Sequence, residues 1–267
     1  MCKKIVFFDS GIGGLSTLAT CLKICPSFYY EYIADTLHAP YGKLPASQVT
    51  NFSYNILSKY FNNDNIDAIV VACNTATNCA IEVLRKQTKT PIIGIEPAIL
   101  PALHSTQGKI LVLATPTTLT QPKFLNLAKP FKNRLILSPQ PHLATLIESF
   151  FQRPSDSNLQ IIKNTLLNLK HTLSEKFSAI VLGCTHYSLI APIIQQTLNI
   201  NVFDGNIGVA QALCRCLNTH TTQQGSIDPD IIKHIFHSSR ISTTSPTTTD
   251  YLKILKDLLK QECVLHL

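Results

Sequence analysis

Two cysteines in this chain each end a run of branched apolar residues, and each is followed by side chains able to donate or accept a proton. Cys73 closes the run DAIVVAC and precedes Asn74 and Thr75, whereas Cys184 closes SAIVLGC and precedes Thr185 and His186. An unbroken Ile/Val/Leu run suits a strand covered on both faces, as in a parallel sheet. Such sheets place function at the carboxyl ends of their strands. Either cysteine alone could be a core residue before a turn; the shared pattern argues for a working pair. A free thiol titrates near ~8.5, so deprotonation at pH 7 costs about 2 kcal/mol, against about 4.6 kcal/mol for a lysine. Two thiols on opposite walls of a cleft can invert a carbon centre. One removes a proton from one face while the other delivers a proton to the opposite face, and the reverse reaction exchanges their roles.

The elements that must position this pair repeat. Lys109–Leu113 (KILVL) echoes Lys4–Phe8 (KIVFF) at an offset of 105 residues, and Cys184 echoes Cys73 at an offset of 111. Nearly equal offsets indicate a duplicated unit with a small insertion. Strands are predicted over 4–8, 29–34, 66–72, 91–95, 109–113, 135–137, 177–184 and 201–203, with a further one over 232–237. The helical patterns between them run over 15–24, 46–61, 78–89, 143–151, 159–173 and 189–198. Tyr251–Leu259 carries the i, i+3, i+4, i+7 apolar spacing of a helix that packs on a domain. The fold class is therefore α/β, two pseudo-symmetric doubly wound domains with the active site in the cleft between them.

The glycine-rich turn Asp9-Ser10-Gly11-Ile12-Gly13-Gly14 follows the first strand. Its glycines permit positive φ and close backbone approach. It lacks the GxGxxG spacing and the lysine of a phosphate loop, and Asp9 would repel a phosphate. Asp9 better suits an amino group or an acid/base role, or else caps the following helix. Asp9 and His186 are the candidate proton partners of Cys73 and Cys184 respectively. Both cysteines precede predicted helices, whose N-termini lower a thiol's pKa and attract a carboxylate. Cys21, Cys79 and Cys214 are expected to be packing residues, and His38 and His104 ordinary loop or surface histidines.

Composition narrows the classes. The chain has 267 residues, 45% hydrophobic and 15% charged, which is globular material with ample core. No apolar run approaches the roughly 18–20 residues that span a bilayer, and the apolar start is too short for a signal peptide. A cytoplasmic protein is expected. Nine cysteines without a C-x-x-C pair argue for reduced thiols and against a zinc ribbon. The net charge of +7 is scattered, with no aromatic-interleaved basic patch, so nucleic acid is not expected. A mild basic excess suits an anionic small substrate. The sequence does not decide between a monomer and a homodimer.

In combination, FDSGIGGLS, the Pro40–Gly42 PYG, VVACNTAT and LGCTHY closely resemble the cofactor-independent glutamate racemases of the aspartate/glutamate racemase superfamily. The likeness spans residues 5–210 and continues more weakly to the end. It implies two domains, 1–97 plus 210–267 and 98–209, holding glutamate between them without pyridoxal phosphate or metal. It further implies that Cys73 and Cys184 are the acid/base thiols, assisted by Asp9, His186 and Glu148. Asp9, Ser10, Tyr41, Gly42, Asn74, Thr75, Thr118, Thr185 and His186 match substrate-binding or assisting positions. The role implied is supply of D-glutamate for peptidoglycan. The chain departs from the family at His38, where arginine is common, and at Gln140, where cysteine precedes proline. It departs again at Thr117-Thr118-Leu119-Thr120, which replaces Gly-Thr followed by a basic residue. Racemisation of aspartate or another small acid, or a non-catalytic binding role for the same fold, are the competing readings of the residues.

Overall fold

The computed structural model describes residues 3–25, 28–219, 236–238 and 248–261. Among the described residues nine strands, all paired in parallel, form two sheets. They are β1 (Lys4–Asp9), β2 (Tyr29–Ala34), β3 (Ala68–Val71), β4 (Ile92–Gly94), β5 (Ile110–Ala114), β6 (Leu135–Pro139), β7 (Ala179–Gly183), β8 (Asn201–Phe203) and β9 (Phe236–Ser238). The first sheet runs β4-β3-β1-β2-β9 and the second β6-β5-β7-β8.

Read in opposite directions, β4-β3-β1-β2 and β8-β7-β5-β6 are the same order, with β9 added to the first sheet alone. The register repeats too: Ile5 pairs with Ala68 and Ile110 with Ala179, so both echoes in the sequence are spatially equivalent pairs. β3, β5 and β7 are buried along their whole length, which is why they read as continuous apolar runs without alternation. Helices cover the sheets, and the chain passes between them twice, after β4 and after β8. The helix Asn206–Cys216 returns to pack on the helix Leu15–Ile24, where Thr17 donates to Asn206 Oδ1 at 2.7 Å.

Several element boundaries differ from expectation, and two of the differences matter for the site. The helix expected from 78 begins at Asn74, and a short helix at Thr185–Leu189 precedes the expected one. Polar residues following a strand mimic a loop in sequence, yet each cysteine sits as the N-cap, so the following residues form the helix's first turn. Short helices at Ile99–Ser105, Pro116–Thr120 and Pro122–Ala128 were not legible, because each is too brief to show a period. The strand expected over 232–237 lies partly outside the described residues; within them, Phe236–Ser238 pairs with β2. The C-terminal helix spans Thr248–Lys260 and buries Tyr251, Ile254, Leu255 and Leu258, as its spacing requires.

Two expectations need correction. Cys214 does pack in the core, but it is disulfide-bonded to Cys25 rather than reduced, because the helix Asn206–Cys216 packs against the helix Leu15–Ile24, just past whose end Cys25 lies, with the two Cα atoms 6.8 Å apart. No described glycine has positive φ. The glycines of the β1 turn serve close approach instead: a Cβ on Gly13 would lie 2.7 Å from the backbone nitrogen of His186, on the other half.

With β7 wholly enclosed, Ile180→Ala is expected to lower stability by about 2–5 kcal/mol through lost burial and the cavity left behind. Chemical denaturation checks it, and a loss below 1 kcal/mol would mean that β7 is not the core of its sheet.

Candidate active site

Cys73 and Cys184 stand at equivalent positions, just past the carboxyl ends of β3 and β7. Both are nearly sealed, at 4% and 6% exposure. The Cys73 sulfur accepts the Ala76 N–H at 3.4 Å and lies 3.7 Å from Ser10 Oγ. Burial pushes the Cys73 thiol well above its usual range, and the charge of Asp9 adds to this. The Ala76 amide and Ser10 hydroxyl oppose the shift without overcoming it, and a charge on Cys184 reinforces it. The expectation that the helix N-terminus would lower this pKa is therefore reversed: desolvation outweighs one amide and one hydroxyl.

The opposite wall is built differently. Cys184 Sγ lies 3.9 Å from His186 Nδ1, and His186 Nε2 lies 2.8 Å from Glu148 Oε1. Burial alone would depress the imidazole, but its hydrogen bonds to Cys184 and Glu148, with their charges, raise its pKa well above the ordinary value. His186 is thus held protonated between a thiol and a carboxylate. Glu148 reaches this place from the helix Leu143–Gln152.

Asp9 is fully buried at the end of β1. Burial raises its pKa, opposed by the His186 charge, the Gly11 N–H and the Thr185 hydroxyl. Its oxygens accept from Gly11 N at 2.8 Å and from Thr185 Oγ1 at 3.0 Å. Asp9 therefore reaches across to the second half, and its link to Cys73 is electrostatic; Ser10 supplies a side-chain hydrogen bond to that sulfur.

The remaining expected residues gather around this core. Thr75 Oγ1 lies 3.1 Å from Thr115 Oγ1 and 3.2 Å from Thr118 Oγ1, joining the halves through three buried hydroxyls. Asn74 is buried with its Nδ2 unpartnered among the described residues, a donor that an anionic ligand would satisfy. Tyr41 is buried beside Phe8 and donates to Asp35 Oδ2 at 2.5 Å. His38 is more than a surface histidine: it bonds the Asp35 carboxylate at 2.9 Å and stacks on Phe52. His104 lies on the helix Ile99–Ser105. Thr115 and Asp35 were missed in the sequence. The duplication held the signal for Thr115, which follows β5 as Ser10 follows β1. Among the described residues no cluster of three or more His, Cys, Asp or Glu could hold a metal ion, and no helix is long and apolar enough to cross a membrane.

Two equivalent α/β halves, each with a buried cysteine just past the end of a central strand, have the architecture of a racemase, an isomerase. The chain belongs to the Asp/Glu/hydantoin racemase family, whose model matches residues 37–213. A glutamate racemase of Clostridium perfringens is 39% identical over 230 residues, covering 83% of this chain and 86% of its own. A glutamate racemase isoform of Bacillus anthracis has a similar structure at 29% identity and TM-score 0.67, covering 81% of this chain and 82% of its own. The fold also matches Escherichia coli glutamate racemase, solved with L-glutamate and the activator UDP-MurNAc-ala. There the TM-score is 0.80 at 24% identity, covering 97% of this chain and 96% of that one.

Because the folded His186 titrates above its unfolded value near ~6.5, its pairing stabilises fully below that pH and fades as pH rises through the raised value. Glu148→Gln is therefore expected to cost about 1–3 kcal/mol near pH 6 and progressively less in alkali. Denaturation at a series of pH values reads this directly; a penalty independent of pH would remove the charge from the Glu148–His186 pair.

Proposed function

We propose that the chain interconverts L- and D-glutamate by moving a proton at Cα between two thiols. The observation that carries this reading is the duplication itself: equivalent strands lead into Cys73 and Cys184, each the N-cap of the helix that follows, and the two are near enough for a charge on Cys184 to act on Cys73. One thiolate removes the Cα proton from one face and the opposite thiol supplies a proton to the other. The second enantiomer reacts with the roles exchanged.

The surroundings supply what each step needs. A buried neutral Cys73 is ready as the acid. Its conversion to a base is favoured when the substrate's ammonium group enters beside it and Asp9 and offsets the cost of a buried anion. On the other wall a protonated His186, oriented by Glu148, stabilises a Cys184 thiolate and can return its proton. Ser10, Asn74, Thr75, Thr118 and Thr185 supply donors for the carboxylates, with Tyr41 and Gly42 assigned to substrate binding beside them. No step needs a metal or an organic cofactor.

We assign residues 1–97 with 210–267 to one domain and 98–209 to the other, which agrees with the membership of the two sheets. The product's use is D-glutamate for peptidoglycan, made in the cytoplasm. The 39% identical relative named a glutamate racemase supports the substrate assignment.

Purified protein should abolish the optical rotation of L-glutamate with no cofactor added, and in D2O it should place deuterium at Cα. Cys73→Ala and Cys184→Ala should each slow racemisation by about 10²–10⁴-fold, the span of general acid–base catalysis. Full turnover in either variant removes that thiol from the reaction, and equal turnover of aspartate refutes the choice of glutamate.

A further inference from the structure

With both thiols at 6% exposure or less, glutamate reaches them only when the two halves part. Some of the hydrogen bonds that join the halves lie inside the site, namely Thr185 to Asp9 and Thr75 to Thr115 and Thr118. Thr117 makes a different connection. It lies in the helix Pro116–Thr120 directly after β5, and its hydroxyl is 3.0 Å from the Gly42 carbonyl and 3.1 Å from the Leu44 carbonyl. Those carbonyls belong to the tight turn around Tyr41–Lys43, which the first half contributes between β2 and the helix Ala46–Leu57. One hydroxyl proton thus serves two backbone acceptors on the opposite side of the cleft.

The turn fits its seat closely. A Cβ on Gly42 would fall 2.4 Å from Thr115 Cγ2, so the bare backbone is pressed against the second half. Outside, Lys43 Nζ lies 3.5 Å from His142 Nδ1. Inside, the Tyr41 hydroxyl is tied to Asp35, which anchors the turn to the end of β2. The turn therefore leaves Thr117 when the halves move apart, rather than by peeling away alone.

We propose that Thr117 is a cross-cleft clasp: its hydroxyl fastens the Tyr41–Leu44 turn over the Cys73 wall in the closed state, and releasing it is a step in substrate access and product escape. Thr117 is a positioning residue that touches neither thiol. The inference rests on the glutamate reading only for the choice of substrate.

Thr117→Val keeps the side chain's shape and removes the donor, while Thr117→Ser keeps the donor. One ordinary hydrogen bond corresponds to about a five-fold change in the opening equilibrium. In the full chain without substrate, alkylation of Cys73 and Cys184 by iodoacetamide, followed by mass spectrometry, should be about five-fold faster in Thr117→Val. Thr117→Ser should match the parent protein, and Cys21, buried in the helix Leu15–Ile24, should remain unreactive in all three. With L-glutamate, the valine variant should raise KM by a similar factor without lowering kcat. An unchanged alkylation rate in Thr117→Val, a serine variant that behaves like valine, or a parallel rise at Cys21 would each overturn the clasp. If the parent protein shows no turnover of glutamate, the substrate reading fails while the alkylation comparison still decides the clasp.

Discussion

Desolvation is the constraint on which the rest of the site depends. Cys73, Asp9 and His186 are all cut off from water, and burial is the largest influence on each. A buried ionisable group is tolerable only when it is neutral or partnered. Cys73 and His186 find theirs within their own half, and Asp9 finds one in each. Thr185 serves Asp9, and Thr115 and Thr118 meet Thr75. Neither half holds a finished site alone, and the apposition of the two sheets is what completes it.

The same constraint sets the resting protonation. The two walls answer burial in opposite ways: burial and the Asp9 charge raise the Cys73 thiol, while for His186 the hydrogen bonds and charges of Cys184 and Glu148 overcome burial and raise the imidazole. A site of this kind holds a thiol that resists ionisation on one side and a histidine–carboxylate pair on the other before any ligand arrives. The unpartnered amide donor of Asn74 adds a place for negative charge next to the neutral thiol. An amino acid, carrying both an ammonium and carboxylates, is the type of ligand that satisfies both features at once.

Much of this was legible in the sequence because duplication is a pattern that survives without side-chain geometry. The offsets of 105 and 111 residues reappear as matched registers, Ile5 with Ala68 and Ile110 with Ala179. The thiols were legible for the same reason. What could not be read was anything decided by packing between distant segments. The direction of the Cys73 shift depends on how completely neighbours exclude water, which no local pattern encodes. Asp35 lay unnoticed in a loop because its importance comes from Tyr41 and His38 folding back onto it. The Cys25–Cys214 bond joins residues 189 apart whose proximity exists only once two helices pack.

The pseudo-symmetry of the backbone does not extend to the chemistry, and the proposed reaction tolerates that. L- and D-glutamate have the same free energy in water, and both directions pass through the same transition state. Since kcat/KM measures the height of that state above free enzyme and substrate, it must be equal for the two enantiomers whatever the walls contain. The asymmetry between a serine and aspartate beside one thiol and a histidine–glutamate pair beside the other can appear only in how each direction divides that ratio between kcat and KM. An enantiomer that meets the ready protonation state binds to a site needing little rearrangement. Its mirror image must first have a proton redistributed, and this weakens its binding and hastens its turnover to the same degree. Two unlike walls around one carbon are therefore as serviceable as two identical ones.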